Sequence, residues 1–253
     1  MGPPVIERLP YGKGIFRRRF RLQGEPRRVI ADMEDDFHRF HVELDHDGER
    51  VTEIRGEAHR YPWTECPGAT LPLRELIGLP LSPHVTAAAA FTNPRANCTH
   101  LFDVASLAVT HASRNGQRRQ YDIAVPDRDE GRTRATLHRD GEPLLAWDVS
   151  GTKIEGPPPY TGVELRGSQF IRWAEAEFDP ELAEAVIALR RASFIAIGRS
   201  RDLDDAPSAD SYMRLTKGSC HTFTVGIAER AMRVKGTTYE FTDAPERLLA
   251  DAL

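Results

Sequence analysis

The stretch DFHRFHVELDHDGERVTEIRGEAHR, residues 36–60, limits the possible folds more than any other part of the chain. Phe40, Val42 and Leu44 alternate with polar residues, Asp47-Gly48 supplies a turn, and Ile54 and Ala58 return on one face. A period of two belongs to strands, so the pattern predicts a half-buried hairpin. Upstream, Val29, Ala31 and Met33 of RRVIADMED also share a face, and residues 14–60 read as strands.

The same parity places polar side chains. His38 falls on the face of Phe40, Val42 and Leu44, and His41 points away. Arg60 shares a face with Ile54 and Ala58. Matching the apolar faces sets Leu44 opposite Thr52 across a three-residue loop and Asp36 opposite Arg60. A two-residue turn would carry Glu53 and Arg55 inward instead. The expected result is a polar cluster of Asp36, His38 and Arg60 at one end of an apolar sheet face.

LPLRELIGLPL reads as a loop or short helix, and a helix follows from about Cys98 to Ser113 with Asn97 as N-cap. The second half repeats the order. RQYDIAVPD, TRATLHRDG and PLLAWDVSG read as strands, with an Asp140-Gly141 turn, and GPPPYTG is a turn-rich connector. Asp179-Pro180 opens the longest helix, which Gly198 ends, and a final helical region contains CHTFTVGIAERAM. Strands then helix, twice, predicts an α+β fold: an antiparallel β-sheet covered on one face by helices. The expected organisation is a single domain, residues 1–253, whose halves of about 14–115 and 116–253 are joined in one core.

Composition narrows the classes of function. A net charge of −4 gives no electrostatic footprint for nucleic acid or an anionic membrane. FRRRFR, residues 16–21, is the local exception, and it reads as the solvated face of a strand; RDLDD, residues 201–205, reads as a solvated loop. No run approaches the roughly 18 apolar residues of a membrane helix. MGPPVIERLPYGKG lacks the apolar region of a signal peptide, and Pro3 and Ile6 break a myristoylation pattern at Gly2. With three widely spaced cysteines, the expectation is a reduced, cytoplasmic protein that binds neither nucleic acid nor membrane. Self-association as a homo-oligomer is left open.

Three kinds of chemistry compete. Cys66, Cys98, His100 and Cys220, with His38 or His221 in reserve, are suitable zinc ligand types, but no C-x-x-C or H-x-x-x-H spacing supports them. Cys98 in a first helical turn, beside His100, would favour a thiolate nucleophile; its bland counterpart is a small buried hydrophobe. The third reading joins Asp35 or Asp36 with His38, Arg60 and His100. A carboxylate orients an imidazole, the imidazole moves a proton, and an arginine holds a developing oxyanion. Tyr61, Trp63, Phe102 and Tyr121 would form aromatic walls for a flat apolar substrate. G-x-G-x-x-G, P-loop, G-x-S-x-G and H-E-x-x-H motifs do not occur.

EDDFH, RYPWTECPGA, NCTHLFDVASLAV, FIRW, ALRRA and SCHTF, in this order from about Arg27 to Phe241, resemble the bacterial domain-of-unknown-function family 2889. The resemblance implies a setting of aromatic-compound catabolism, and lyases acting on lignin-derived aromatic dimers. The combined expectation is a cofactor-free carbon–carbon lyase with Asp36, His38, Arg60 and His100 as its catalytic groups, binding no metal and releasing formaldehyde from a small aromatic substrate. The alternatives are a non-catalytic ligand- or metal-binding module, or a Cys98-dependent hydrolase or transferase.

Overall fold

The alternating segments do form strands. In the computed structural model, which describes residues 9–252, eight strands make one antiparallel sheet in the order β4-β3-β2-β1-β5-β6-β7-β8. They are β1 (Ile15–Glu25), β2 (Arg28–Asp35), β3 (Arg39–His46), β4 (Val51–Arg60), β5 (Arg118–Pro126), β6 (Arg132–Arg139), β7 (Glu142–Ser150) and β8 (Lys153–Gly156). Each half is an up-and-down meander, and β1 pairs with β5 where the halves meet. The chain leaves β4 at the sheet edge and crosses back through a 3₁₀ segment (Cys66–Leu76), α1 (Ala87–Phe91) and α2 (Thr99–Ser113). After β8 come α3 (Gln169–Glu177), α4 (Pro180–Ile195) and the short α5 (Met213–Thr216).

Helix α2 lies over β1–β3 and α4 over β5–β7, which makes the α+β arrangement of strands then helix, twice. The buried cluster on this inner face runs from Phe16 of β1 to Ala196 beyond α4 and takes residues from both halves. Glu184 of α4 joins the helices by accepting from Thr110 of α2 (2.6 Å) and from Tyr121 of β5 (2.7 Å). Among the described residues no helix is long and apolar enough to cross a membrane. The sequence readings at Gly2, Pro3 and Ile6 lie outside the described residues.

Several expectations need correction. Leu44 faces Ile54, not Thr52, and Arg60 faces Arg39, not Asp36. The register shifts twice along β4, and each shift inserts one residue that alternation cannot reveal. The Asp47-Gly48 turn itself is present: the Asp47 carboxylate accepts from the amides of Glu49 and Arg50, both at 2.8 Å. Helix α2 is capped at Cys98, with no side-chain cap bond, and Asn97 is fully buried beside it. Helix α4 is capped by Asp179 as expected, but it gives way at Ile195 to a 3₁₀ turn through Ser200. CHTFTVGIAERAM is a succession of turns rather than a helix. Its β-branched residues and Gly226 weaken helix formation, and tertiary bonds such as His221 N–H to the Asn97 carbonyl (3.0 Å) hold it instead.

The arginine run is not a solvated face either. Phe16, Arg18 and Phe20 point into the core, while Arg17, Arg19 and Arg21 point to the outer face. There the C-terminal segment covers them: Arg17 donates to the Thr242 carbonyl, Arg19 to that of Leu248, and Arg21 to those of Leu249 and Ala252, at 2.9–3.1 Å.

Candidate functional site

The sharp reversal between β2 and β3 builds the site. Asp35 ends β2, and its Oδ1 accepts the backbone N–H groups of Phe37 and His38, both at 2.8 Å. An aspartate that bonds the backbone two and three residues ahead closes a turn locally. The turn returns the His38 ring to the carboxylate, where Nδ1 lies 3.0 Å from Asp35 Oδ1. From directly across the β1–β2 pair, Arg18 adds bonds from Nε (3.0 Å) and Nη2 (2.5 Å) to Asp35 Oδ2. Both Arg18 and Asp35 are fully buried.

Helix α2 brings the second imidazole. The His100 and His38 rings stack with centroids 3.9 Å apart and planes inclined by 26°, and Phe40 lies on His38 at 5.7 Å. The Cys98 thiol sits 3.7 Å from His100 Nδ1. His100 Nε2 is buried without a hydrogen-bond partner. A buried unpaired donor or acceptor is costly and calls for an explanation.

Electrostatics set the protonation states. Burial alone would raise Asp35, but His38 and Arg18 hold it well below the usual carboxylate range, so it is ionised. Burial lowers His38 despite that carboxylate. Burial, His38 and Arg18 push His100 well below the usual range. Both rings are therefore neutral near pH 7. Asp35 can only accept, so His38 Nδ1 carries the proton and Nε2 keeps its lone pair. Burial and the other two cysteines raise Cys98 far above an ordinary thiol, and it stays protonated. An S–H pointing to His100 Nδ1 leaves the proton of His100 on the unpaired Nε2. The assembly thus presents one imidazole able to accept a proton and another able to donate one.

Of the four residues expected to act together, the structure joins only His38 and His100. Asp36 is not the partner of Arg60: its carboxylate accepts from Arg199 Nη1 at 2.6 Å. Arg60 is not on the inner face. The extra residue His59 shifts the phase of β4, and Arg60 joins Arg39 and Glu34 on the outer face. There Arg60 Nη2 donates to Glu34 (3.1 Å), and the guanidinium lies 4.0 Å over the Tyr239 ring. It meets the His38 turn only through main-chain carbonyls, those of Asp35 and Asp36 at 2.5 and 2.9 Å and that of His38 at 3.3 Å. The aromatic residues also disperse. Trp63 packs in a separate small cluster against Tyr212 and Phe223, and half-buried Tyr61 sits between the two clusters. Phe102 is buried on α2, and the Tyr121 hydroxyl is bound to Glu184.

Cys66 bonds Thr222 (3.4 Å) rather than a charged partner, and burial pushes its thiol up to about 12. Among the described residues no three His, Cys, Asp or Glu side chains are placed to hold a metal ion. The residue that pattern reading passed over is Arg18. Its signal was present: in F-R-R-R-F-R-L, the alternation of Phe16, Phe20 and Leu22 places Arg18 with them, inside.

Residues 21–114 match the model of a family described as "Protein of unknown function (DUF2889)". The matched part includes Asp35, His38, Arg60, Cys98 and His100. FIRW, ALRRA and SCHTF lie beyond the match. No curated protein matches the chain.

Proposed function

We propose that the Asp35–His38–His100 assembly is the proton-transfer centre of a lyase acting on a small aromatic substrate. The observation that supports this reading best is the oriented, neutral imidazole pair with an unpaired nitrogen. The reaction class comes from the family resemblance. In a dimer with a benzylic ether next to a hydroxymethyl-bearing carbon, His38 Nε2 would take the hydroxymethyl proton and His100 Nε2–H would protonate the departing ether oxygen. The carbon–carbon bond to the hydroxymethyl group breaks, and its electron pair becomes the new carbon–carbon double bond as the ether oxygen leaves. Formaldehyde, an alkene and a phenol result, with atoms and electrons balanced and no redox partner. Asp35 and Arg18 would act as positioning residues by fixing the tautomer and orientation of His38.

The test is formaldehyde release from such dimers, with one formaldehyde expected per alkene formed. His38→Gln and His100→Gln are expected to lose about 10²-fold or more in turnover. Arg60→Ala, on the other face, is expected to lose much less. No turnover of any such dimer by the wild type would remove the reaction. Unchanged turnover in both folded histidine variants would remove the site.

A further inference from the structure

The outer face carries a feature that the proton-transfer centre does not use. A cavity of about 480 Å³ lies between the ends of β2–β4 and the C-terminal segment, with Arg60, Tyr239, Phe241 and Arg247 in its lining. This volume is in the range of small-molecule sites, about 300–1,000 Å³. Two aromatic side chains and a stacked guanidinium make its wall: Arg60 lies 4.0 Å from the Tyr239 ring centroid and 5.9 Å from that of Phe241.

Its charges do not cancel. The two lining carboxylates are already taken, Glu34 by Arg60 (3.1 Å) and Asp251 by Arg39 (2.8 Å). Half-buried Arg247 makes no ion pair or side-chain hydrogen bond among the described residues. His59 also lines the cavity, with the Glu57 carboxylate 3.6 Å away. Arg60, buried and saturated at both Nη atoms, keeps Nε without a partner. An uncompensated arginine beside aromatic rings selects a ligand with a negative group and a flat apolar body.

We propose that this cavity binds a small aromatic carboxylate, its ring against Tyr239 and Phe241 and its carboxylate on Arg247. The site is independent of the lyase reading, because it lies across the sheet from His38 and His100. The test is isothermal titration of the full chain with benzoate, using benzamide and acetate as controls. Benzoate is expected to bind, with both controls much weaker. Arg247→Gln is expected to weaken benzoate about tenfold or more, as loss of a charged hydrogen bond does, and Arg247→Lys is expected to restore part of it. His100→Gln is expected to leave benzoate affinity unchanged. Absence of benzoate binding, equal affinity for acetate, or undiminished affinity in Arg247→Gln would each overturn the proposal. So would loss of binding in His100→Gln alone, which would place the ligand on the inner face.

Discussion

Asp35 and Asp36 are adjacent, both fully buried, and each meets a buried arginine, yet they end in opposite states. Asp35 collects two backbone N–H groups, two bonds from Arg18 and the His38 ring, and stays ionised far into acid. Asp36 shares Arg199 with Asp127 and Glu240, three carboxylates around one guanidinium. Burial pushes it up to about 7 against the pull of Arg199. Arg199 ties the entry to β1, the end of β5, the end of α4 and the C-terminal segment together. Gly14 leaves it room, because a Cβ there would overlap the guanidinium at 1.7 Å. Every contact in the Asp36 cluster terminates on a partner. The Asp35 cluster leads into two imidazoles and leaves two buried nitrogens, Arg18 Nη1 and His100 Nε2, without a partner. A closed network serves the fold, and an open one is where chemistry can happen.

The largest test of this contrast is Asp35→Asn. It leaves Arg18 as a buried charge without its carboxylate, and a loss of about 3–5 kcal/mol is expected. Asp36→Asn keeps Asp127 and Glu240 on Arg199, and only about 1 kcal/mol is expected. Urea unfolding of both variants checks the order, and equal losses would break the comparison.

The pH dependence sharpens it. Native Asp36 holds its proton up to about pH 7, whereas the unfolded chain releases it near 3.8. Between those values the native state binds the extra proton, so this contribution to stability falls as pH rises toward 7. Asp35 has the opposite sign: its contribution is present above 3.8 and is lost as pH falls through its depressed native value. His38 is kept neutral on folding, so its contribution is lost as pH falls below 6.5, where the unfolded chain takes up a proton. Unfolding measured across pH is expected to lose the decline toward neutrality in Asp36→Asn and part of the acid-side loss in His38→Gln. Unchanged profiles would refute these assignments.

A loss no larger than that of Asp36→Asn is expected of Cys98→Ala. Its contact with His100 is long, 3.7 Å, and the thiol is protonated, so about 1 kcal/mol of stability and little turnover should be lost. Abolished turnover in the folded variant would return the thiol to the centre of the chemistry.

Much of the architecture was legible as pattern. Alternation at Phe40, Val42 and Leu44, the Asp47-Gly48 turn and the Asp179 cap each depend on residues within one strand or turn, and each was found where expected. His38 and His100 could be singled out as candidates, because parity and helical spacing place both on core-facing surfaces. Arg60 could not be placed, since one extra residue at His59 turns the strand and no local pattern announces a bulge. The choice between Asp35 and Asp36 also escaped, because it depends on which arginine arrives from 17 residues upstream of Asp35 or 163 residues downstream of Asp36. Covering of the arginine face by residues near the C-terminus was hidden for the same reason. Periodicity by itself determined most of the strands and the two long helices, since those follow from local backbone geometry. Only the tertiary structure decided which buried charges meet, because pairing energy depends on distances between segments that sequence order does not encode.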